Sequence, residues 1–180
     1  MNGFDTIIGR AATLVLIAAA LLAGCTSQDI ASRGAIEPGS RVALMPIVNY
    51  SQAPQAGEAA ESMVTSLWLS ETGRSLLVYE RPPGSELPPI DDGERFERAR
   101  DWLATQDVDY YLTGSVQEWR YKTGLDGEPA VGVTLRLHDT DGRLVWSAQG
   151  SRAGWDRESL ASTAQKLLRE QIRALDRAGE

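Results

Sequence analysis

Residues 11–22, Ala-Ala-Thr-Leu-Val-Leu-Ile-Ala-Ala-Ala-Leu-Leu, form an almost unbroken apolar run, preceded by Arg10 and followed by the small pair Ala23-Gly24. A membrane-spanning helix needs about 20 such residues, so the run is too short for a span. A basic residue, a short apolar stretch and small residues at its end are instead the layout of a secretory signal peptide. The mature part then begins after residue 24, and its sole cysteine, Cys25, leaves no internal disulfide. A chain exported without that cross-link has to be held by an apolar core, and the remaining length suits one domain rather than two.

The segment Leu22-Ala23-Gly24-Cys25 resembles the lipobox of bacterial lipoproteins. That resemblance implies cleavage before Cys25 and diacylglycerol on its sulfur. A plain signal peptide followed by an incidental thiol is disfavoured, because exported domains avoid exposed free cysteines. Thr26 stands where inner-membrane-retained lipoproteins carry Asp. The implied address is the outer membrane, lipid-anchored on its periplasmic face, with several acyl chains giving an anchor that one chain alone would not. Residues 26–40 carry Ser27, Ser32, Gly34, Pro38, Gly39 and Ser40 without any period, which predicts a flexible tether. The expected organisation is a signal peptide over 1–24, the lipidated cysteine and tether over 25–40, and a periplasmic domain over 41–180.

The formal charge is −7, and removing residues 1–24 takes away Asp5 and Arg10 together, so the mature chain stays at −7. An acidic domain is a poor match for nucleic acid, whose phosphates require a basic face. It is a good match for a cationic ligand or polymer.

Along that domain, Arg41 to Asn49 is a nearly continuous apolar run that suits a strand covered on both faces, with Pro46 demanding an edge or a bulge. From Pro54 to Glu71, Ala60, Met63, Val64, Leu67 and Trp68 recur at helical spacing and Gly73 is placed to end the helix. Ser75 to Glu80 reads as a short strand, Arg81 to Gly93 as a proline-rich loop, and Glu94 to Thr105 as a helix with Phe96, Ala99, Trp102 and Leu103 on one side. Three strands follow, Asp109 to Tyr121, Ala130 to His138 and Arg143 to Gly150, whose connectors both contain Asp-Gly, the pair that favours hairpin turns. Asp156 to Ala178 carries a stripe of Leu160, Ala164, Leu167, Leu168, Ile172 and Leu175, with Asp156 able to cap it. The fold class predicted is α/β: a single-domain layered sandwich, its mixed sheet ending in a C-terminal antiparallel meander, with helices packed on the sheet.

Chemistry is sparse. His138 is the only histidine and lies in the polar phase of a strand before a turn, so the usual zinc sites and Ser or Cys triads cannot be assembled. Gly124 and Gly127 sit in a hairpin connector with no helix start after them, which excludes a phosphate-binding loop. The acidic pairs Asp91-Asp92, Asp107 with Asp109, Asp126 with Glu128, and Asp139 with Asp141 all fall in loops, where Asp is favoured for bonding nearby backbone. Asp126 and Glu128 stand out because a hairpin tip projects them away from the core. Trp68, Trp102 and Trp146 are core candidates. Trp155, between Gly154 and Asp156 and flanked by Arg152 and Arg157, suits either a membrane interface or a staple against Leu160. Trp119 and Tyr121 share a strand phase with Gln117, which places them on an open sheet face or in a subunit contact. No metal or cofactor is expected.

The stretch Arg41-Val-Ala-Leu-Met-Pro-Ile-Val-Asn-Tyr-Ser51 resembles the opening strand of secretion lipoproteins of the curli-exporter and penicillin-binding-protein-activator type. Leu112-Thr-Gly-Ser-Val-Gln-Glu-Trp-Arg-Tyr-Lys122, Gly124-Leu-Asp-Gly-Glu-Pro129, Leu144-Val-Trp-Ser147 and Ser162-Thr-Ala-Gln-Lys-Leu-Leu-Arg169 resemble the PelC family, the lipoproteins of Pel exopolysaccharide export, over nearly all of residues 41–172. The resemblance implies a protein that is not an enzyme, a homo-oligomeric, dodecameric ring beneath the outer membrane. Its acidic funnel would guide the cationic Pel polysaccharide of biofilms to the outer-membrane barrel protein PelB. It also implies that Asp126, with Glu128 beside it, faces the polysaccharide and that Trp155 contacts the membrane. A monomeric activator of a peptidoglycan synthase and a small glycan hydrolase are the competing expectations.

Overall fold

A computed structural model of the chain describes residues 26–33, 36–37, 39–80, 92–123, 127–155 and 157–179. The elements run β1 (Thr26–Ser32), β2 (Val42–Asn49), α1 (Ala56–Thr72), β3 (Leu76–Val78), α2 (Asp92–Leu103), β4 (Tyr110–Tyr121), β5 (Pro129–Asp139), β6 (Leu144–Ala153) and α3 (Leu160–Arg177). They build one mixed six-stranded sheet in the order β1-β6-β5-β4-β2-β3. The meander β4-β5-β6 is antiparallel, and β2 lies parallel to both β3 and β4.

Apolar alternation decides which face of each strand the helices cover. Leu44 and Ile47 on β2, Leu112 and Val116 on β4, Val131, Val133, Leu135 and Leu137 on β5, and Trp146 and Ala148 on β6 meet Ala60, Val64, Leu67 and Trp68 of α1 and Ala164, Leu167, Leu168, Ile172 and Leu175 of α3 in one core. Met45 points to the opposite face, where α2 covers it with Ala99 and the half-buried Phe96, Trp102 and Leu103. Tyr79 closes that smaller cluster edge-to-face on Trp102, centroids 5.5 Å apart. The α/β sandwich read from the sequence is therefore the observed fold, with a helix on each side of β2.

The strand around Pro46 is flanked by β4 on one side and is open on the other, because β3 ends opposite Leu44. Its register against β4 shifts between Leu44 and Ile47, so the proline is absorbed in a bulge. On its other side β2 has only three partners, because β3 pairs with Val42, Ala43 and Leu44 and then ends. Beyond that point two carboxylates replace the missing strand. Glu61 of α1 accepts from Ile47 N at 2.7 Å, and Asp92 of α2 accepts from Asn49 N at 2.8 Å. Arg95 grips Glu61 through both guanidinium nitrogens at 2.8 and 2.5 Å, tying the two helical layers through one buried carboxylate.

Two expectations are corrected. Residues 26–32, assigned to the tether, form β1, an edge strand antiparallel to β6. Its side chains are exposed except the half-buried Gln28, so no apolar pattern announces it and main-chain pairing holds it. The last helix starts at Leu160, not Asp156, and its cap is Ser159, whose side chain accepts from Ser162 N. Asp156, residues 1–24, where a signal peptide is expected, Cys25 and residues 81–91 lie outside the described residues.

Glu61→Ala leaves the Arg95 guanidinium and the Ile47 N–H without their acceptor. The expected loss is about 3 kcal/mol of unfolding free energy in urea, the cost of breaking one side of a buried pair. Between α1 and α3, Arg173 and then Arg169 hold the Glu71 carboxylate below its ordinary 4.5. A depressed acid stabilises the fold above its unfolded value and ceases to do so as pH falls through the folded one. The urea midpoint should therefore drop on acidification below about pH 4.5, and Glu71→Gln should flatten that drop.

Candidate functional site

One end of the sheet gathers the residues that carry chemistry. β4 runs past Trp119 to the exposed Tyr121, and Lys122 N donates to Glu128 O at 2.7 Å to close the β4–β5 hairpin. Asp126, the acid expected at its tip, lies outside the described residues. Gly127 takes a positive φ of 52°, a conformation that glycine adopts without strain. Glu128 is half-exposed, and Lys122 Nζ approaches it to 3.8 Å. A pair that exposed and that long is worth little in water and leaves the acid accessible.

Pro129, next along the chain, accepts from Gly154 N at 2.8 Å and so fixes the exit from β6 against the hairpin. Gly154 is packed so closely that a Cβ there would stand 2.5 Å from Thr163 Oγ1 and 2.7 Å from Pro129 Cγ. The turn buries Gly154 and throws the following residue outward: Trp155 is 49% exposed, and its carbonyl accepts from Glu158 N at 2.8 Å. Glu158 is held below the usual carboxylate range, chiefly by Lys166 at 2.6 Å.

Tyr121 belongs to the same end, and here the sequence phase misleads. The register of β4 against β5 shifts between Val116 and Glu118, so Gln117 is the extra residue of a bulge. Gln117 lies against the hydroxyls of Ser115 and Thr134 at 2.7 and 3.0 Å. Trp119 and Tyr121 thereby turn to the helix-covered side. Trp119 packs against the core, and Tyr121, 53% exposed, accepts from Leu160 N at 3.1 Å, where α3 begins. β1 also starts here, with Thr26 opposite Arg152. Neither Tyr121 nor β1 was identified as part of the site from sequence, since one required locating a bulge and the other has no apolar period.

The remaining candidates serve local structure. His138 Nε2 is 3.3 Å from Thr113 Oγ1, its Nδ1 is 3.4 Å from Gly142 O, and its ring stacks on Tyr111 with centroids 5.0 Å apart. Asp139 accepts from Asp141 N at 3.0 Å and Arg143 N at 2.9 Å, as expected of an acid in a turn. Asp141 pairs with Arg143, Asp107 with Arg41 at 2.5 Å, and Asp109 accepts from Arg41 N at 2.7 Å. Among the described residues no group of three or more His, Cys, Asp and Glu is arranged for a metal ion, and no helix is long and apolar enough to cross a membrane. A cleft of about 500 Å³ at the opposite end of the sheet is lined by Met45, Phe96, Leu103 and Tyr111.

The chain is similar to two solved structures over most of its length. A PelC dodecamer from Paraburkholderia phytofirmans is 35% identical, with a TM-score of 0.69, and the match covers 84% of this chain and 98% of that one. The L103M form of the same dodecamer matches at 36% identity and a TM-score of 0.70, covering 84% and 99%. No protein-family model matches, and no curated protein does.

The two residues of the β6 exit turn are expected to respond oppositely to substitution. Trp155→Ala should leave stability within about 0.5 kcal/mol, the range of an exposed position. Gly154→Ala should cost about 2 kcal/mol through overpacking. Urea unfolding of both variants measures the contrast.

Proposed function

This chain belongs to the PelC family, and from that premise we propose that it is a non-catalytic outer-membrane lipoprotein of Pel exopolysaccharide export. In this reading twelve copies form a ring on the periplasmic face of the outer membrane and guide a cationic polysaccharide toward the barrel protein PelB. The observation that carries it is the match to PelC dodecamers over nearly their whole chain length. Lipid on Cys25 anchors each copy, and Trp155 lies at headgroup depth, where an amphipathic ring is favoured. Asp126 and Glu128 present acid from the β4–β5 hairpin, and the charge of −7 per chain attracts a polycation over a range set by salt.

A closed ring requires two different, complementary surfaces on each copy. Light scattering on residues 26–180, over a range of concentration and salt, should therefore give twelve times the protomer mass. A strict monomer at every concentration, in solution and on lipid, would overturn the reading.

A further inference from the structure

We propose that β1 is a strap that clamps the lipid anchor to the folded domain, so that the bilayer meets the protein at one fixed end of its sheet. The proposal rests on the reading of Cys25 as the lipidated residue. Strand β1 runs antiparallel to β6 in unbroken register, from Thr26 opposite Arg152 to Ser32 opposite Trp146. Arg33 N extends the ladder by donating to Val145 O at 2.8 Å. Because Thr26 follows Cys25 directly and consecutive Cα atoms are ~3.8 Å apart, the lipid-bearing residue is one peptide unit from the sheet. A flexible tether over residues 26–40 would have a root-mean-square reach of roughly 20 Å. The polar layer of one leaflet is only about 7 Å deep, so the two cases differ in kind: a tethered domain stands clear of the bilayer and a strapped one lies against it.

The end to which the strap leads has the composition of a lipid-facing surface. Trp155 and Tyr121 are both about half exposed there. The closely packed Gly154 sets the turn beneath Trp155, and the Tyr121 hydroxyl accepts from Leu160 N. The side chains of Lys122 and Arg157 are exposed beside them, whereas Arg152, across from the first residue of the strap, is mostly buried and bound to Glu170 at 2.7 Å. Exposed aromatics interleaved with Lys and Arg match the headgroup region, the rings at the interface and the cations toward anionic lipid. The strap holds by main chain, and room for it is built into β6. At Gly150 a Cβ would lie 3.2 Å from Ser27 O and 2.8 Å from Leu167 Cδ1, between the strap and α3.

The test uses the full chain, exported and lipidated in cells, then reconstituted into vesicles of phosphatidylethanolamine and phosphatidylglycerol with dibrominated acyl chains. Bromine quenching of Trp155 is read as the difference between the native chain and Trp155→Phe. Two variants release the anchor: a 15-residue Gly-Ser insertion after Thr26, sized by the flexible-chain estimate at about 20 Å of slack, and replacement of residues 27–32 by Gly-Ser of equal length. Both are expected to lower the Trp155 quenching at least about twofold while still floating with the vesicles. Equal quenching in all three floating proteins would overturn the strap and leave the lipidation reading intact. A native chain that fails to float would overturn the lipidation reading and the strap together.

Discussion

The open edge of β2 is the constraint on which the rest of the sandwich depends. Strand β3 covers three residues of it and stops, leaving the N–H groups of Ile47 and Asn49 on an edge beneath two helices. Unpaired backbone donors in such a place are costly. Carboxylates from two different helices meet them, Glu61 from α1 and Asp92 from α2. A buried ion pair is weak evidence of net stability, because desolvation consumes most of its attraction. Its contribution here is geometric. Glu61 can satisfy Ile47 and Arg95 together only when α1 lies on one side of the bulge at Pro46 and α2 on the other, which fixes the relative positions of both layers.

How much of this was legible in the sequence follows from which interactions hold each element. The meander, α1 and α3 bury one face each, and burial writes itself as alternation or as a helical stripe. Val131, Val133, Leu135 and Leu137 on β5, and Leu167, Leu168, Ile172 and Leu175 on α3, were readable for that reason and are in the core. Strand β1 buries almost nothing and is specified by backbone pairing, which any residue except proline can make, so serines and an absence of period concealed it. The cap at Ser159 is a local bond to Ser162 N, three residues on, and Asp156 obscured it by offering an earlier start, whereas the bulge at Gln117 exists only in the register against β5. In the second case a one-residue slip reversed the faces of Trp119 and Tyr121, the usual penalty of a period-two pattern.

The site was legible in part. Glu128 and Trp155, singled out separately, come together because Pro129 and Gly154, their immediate neighbours, share a hydrogen bond. The contact is closed by tight packing around a glycine, which leaves no signature beyond the glycine itself. Asp126, two residues before Glu128 in the sequence, lies outside the described residues.

Placing the acidic hairpin and the aromatic turn on the same end of the sheet has an electrostatic consequence. Among the described residues the acids near this end have cationic neighbours, Glu118 with Arg120, Glu128 with Lys122 and Glu158 with Lys166. The first two pairs are at least partly exposed and weak, whereas Glu158 is mostly buried and its carboxylate is held well in the charged form. An exposed acid in a loose pair can exchange its lysine for another ammonium group at little cost, because each partner is rehydrated on leaving. Glu128 is therefore able to exchange Lys122 for another cation at little cost. Glu158, whose Oε1 is committed to Lys166 and Ser162, is suited to holding the start of α3 in place. The same end thus separates acids that can attract from acids that position, and the difference lies in burial rather than in charge.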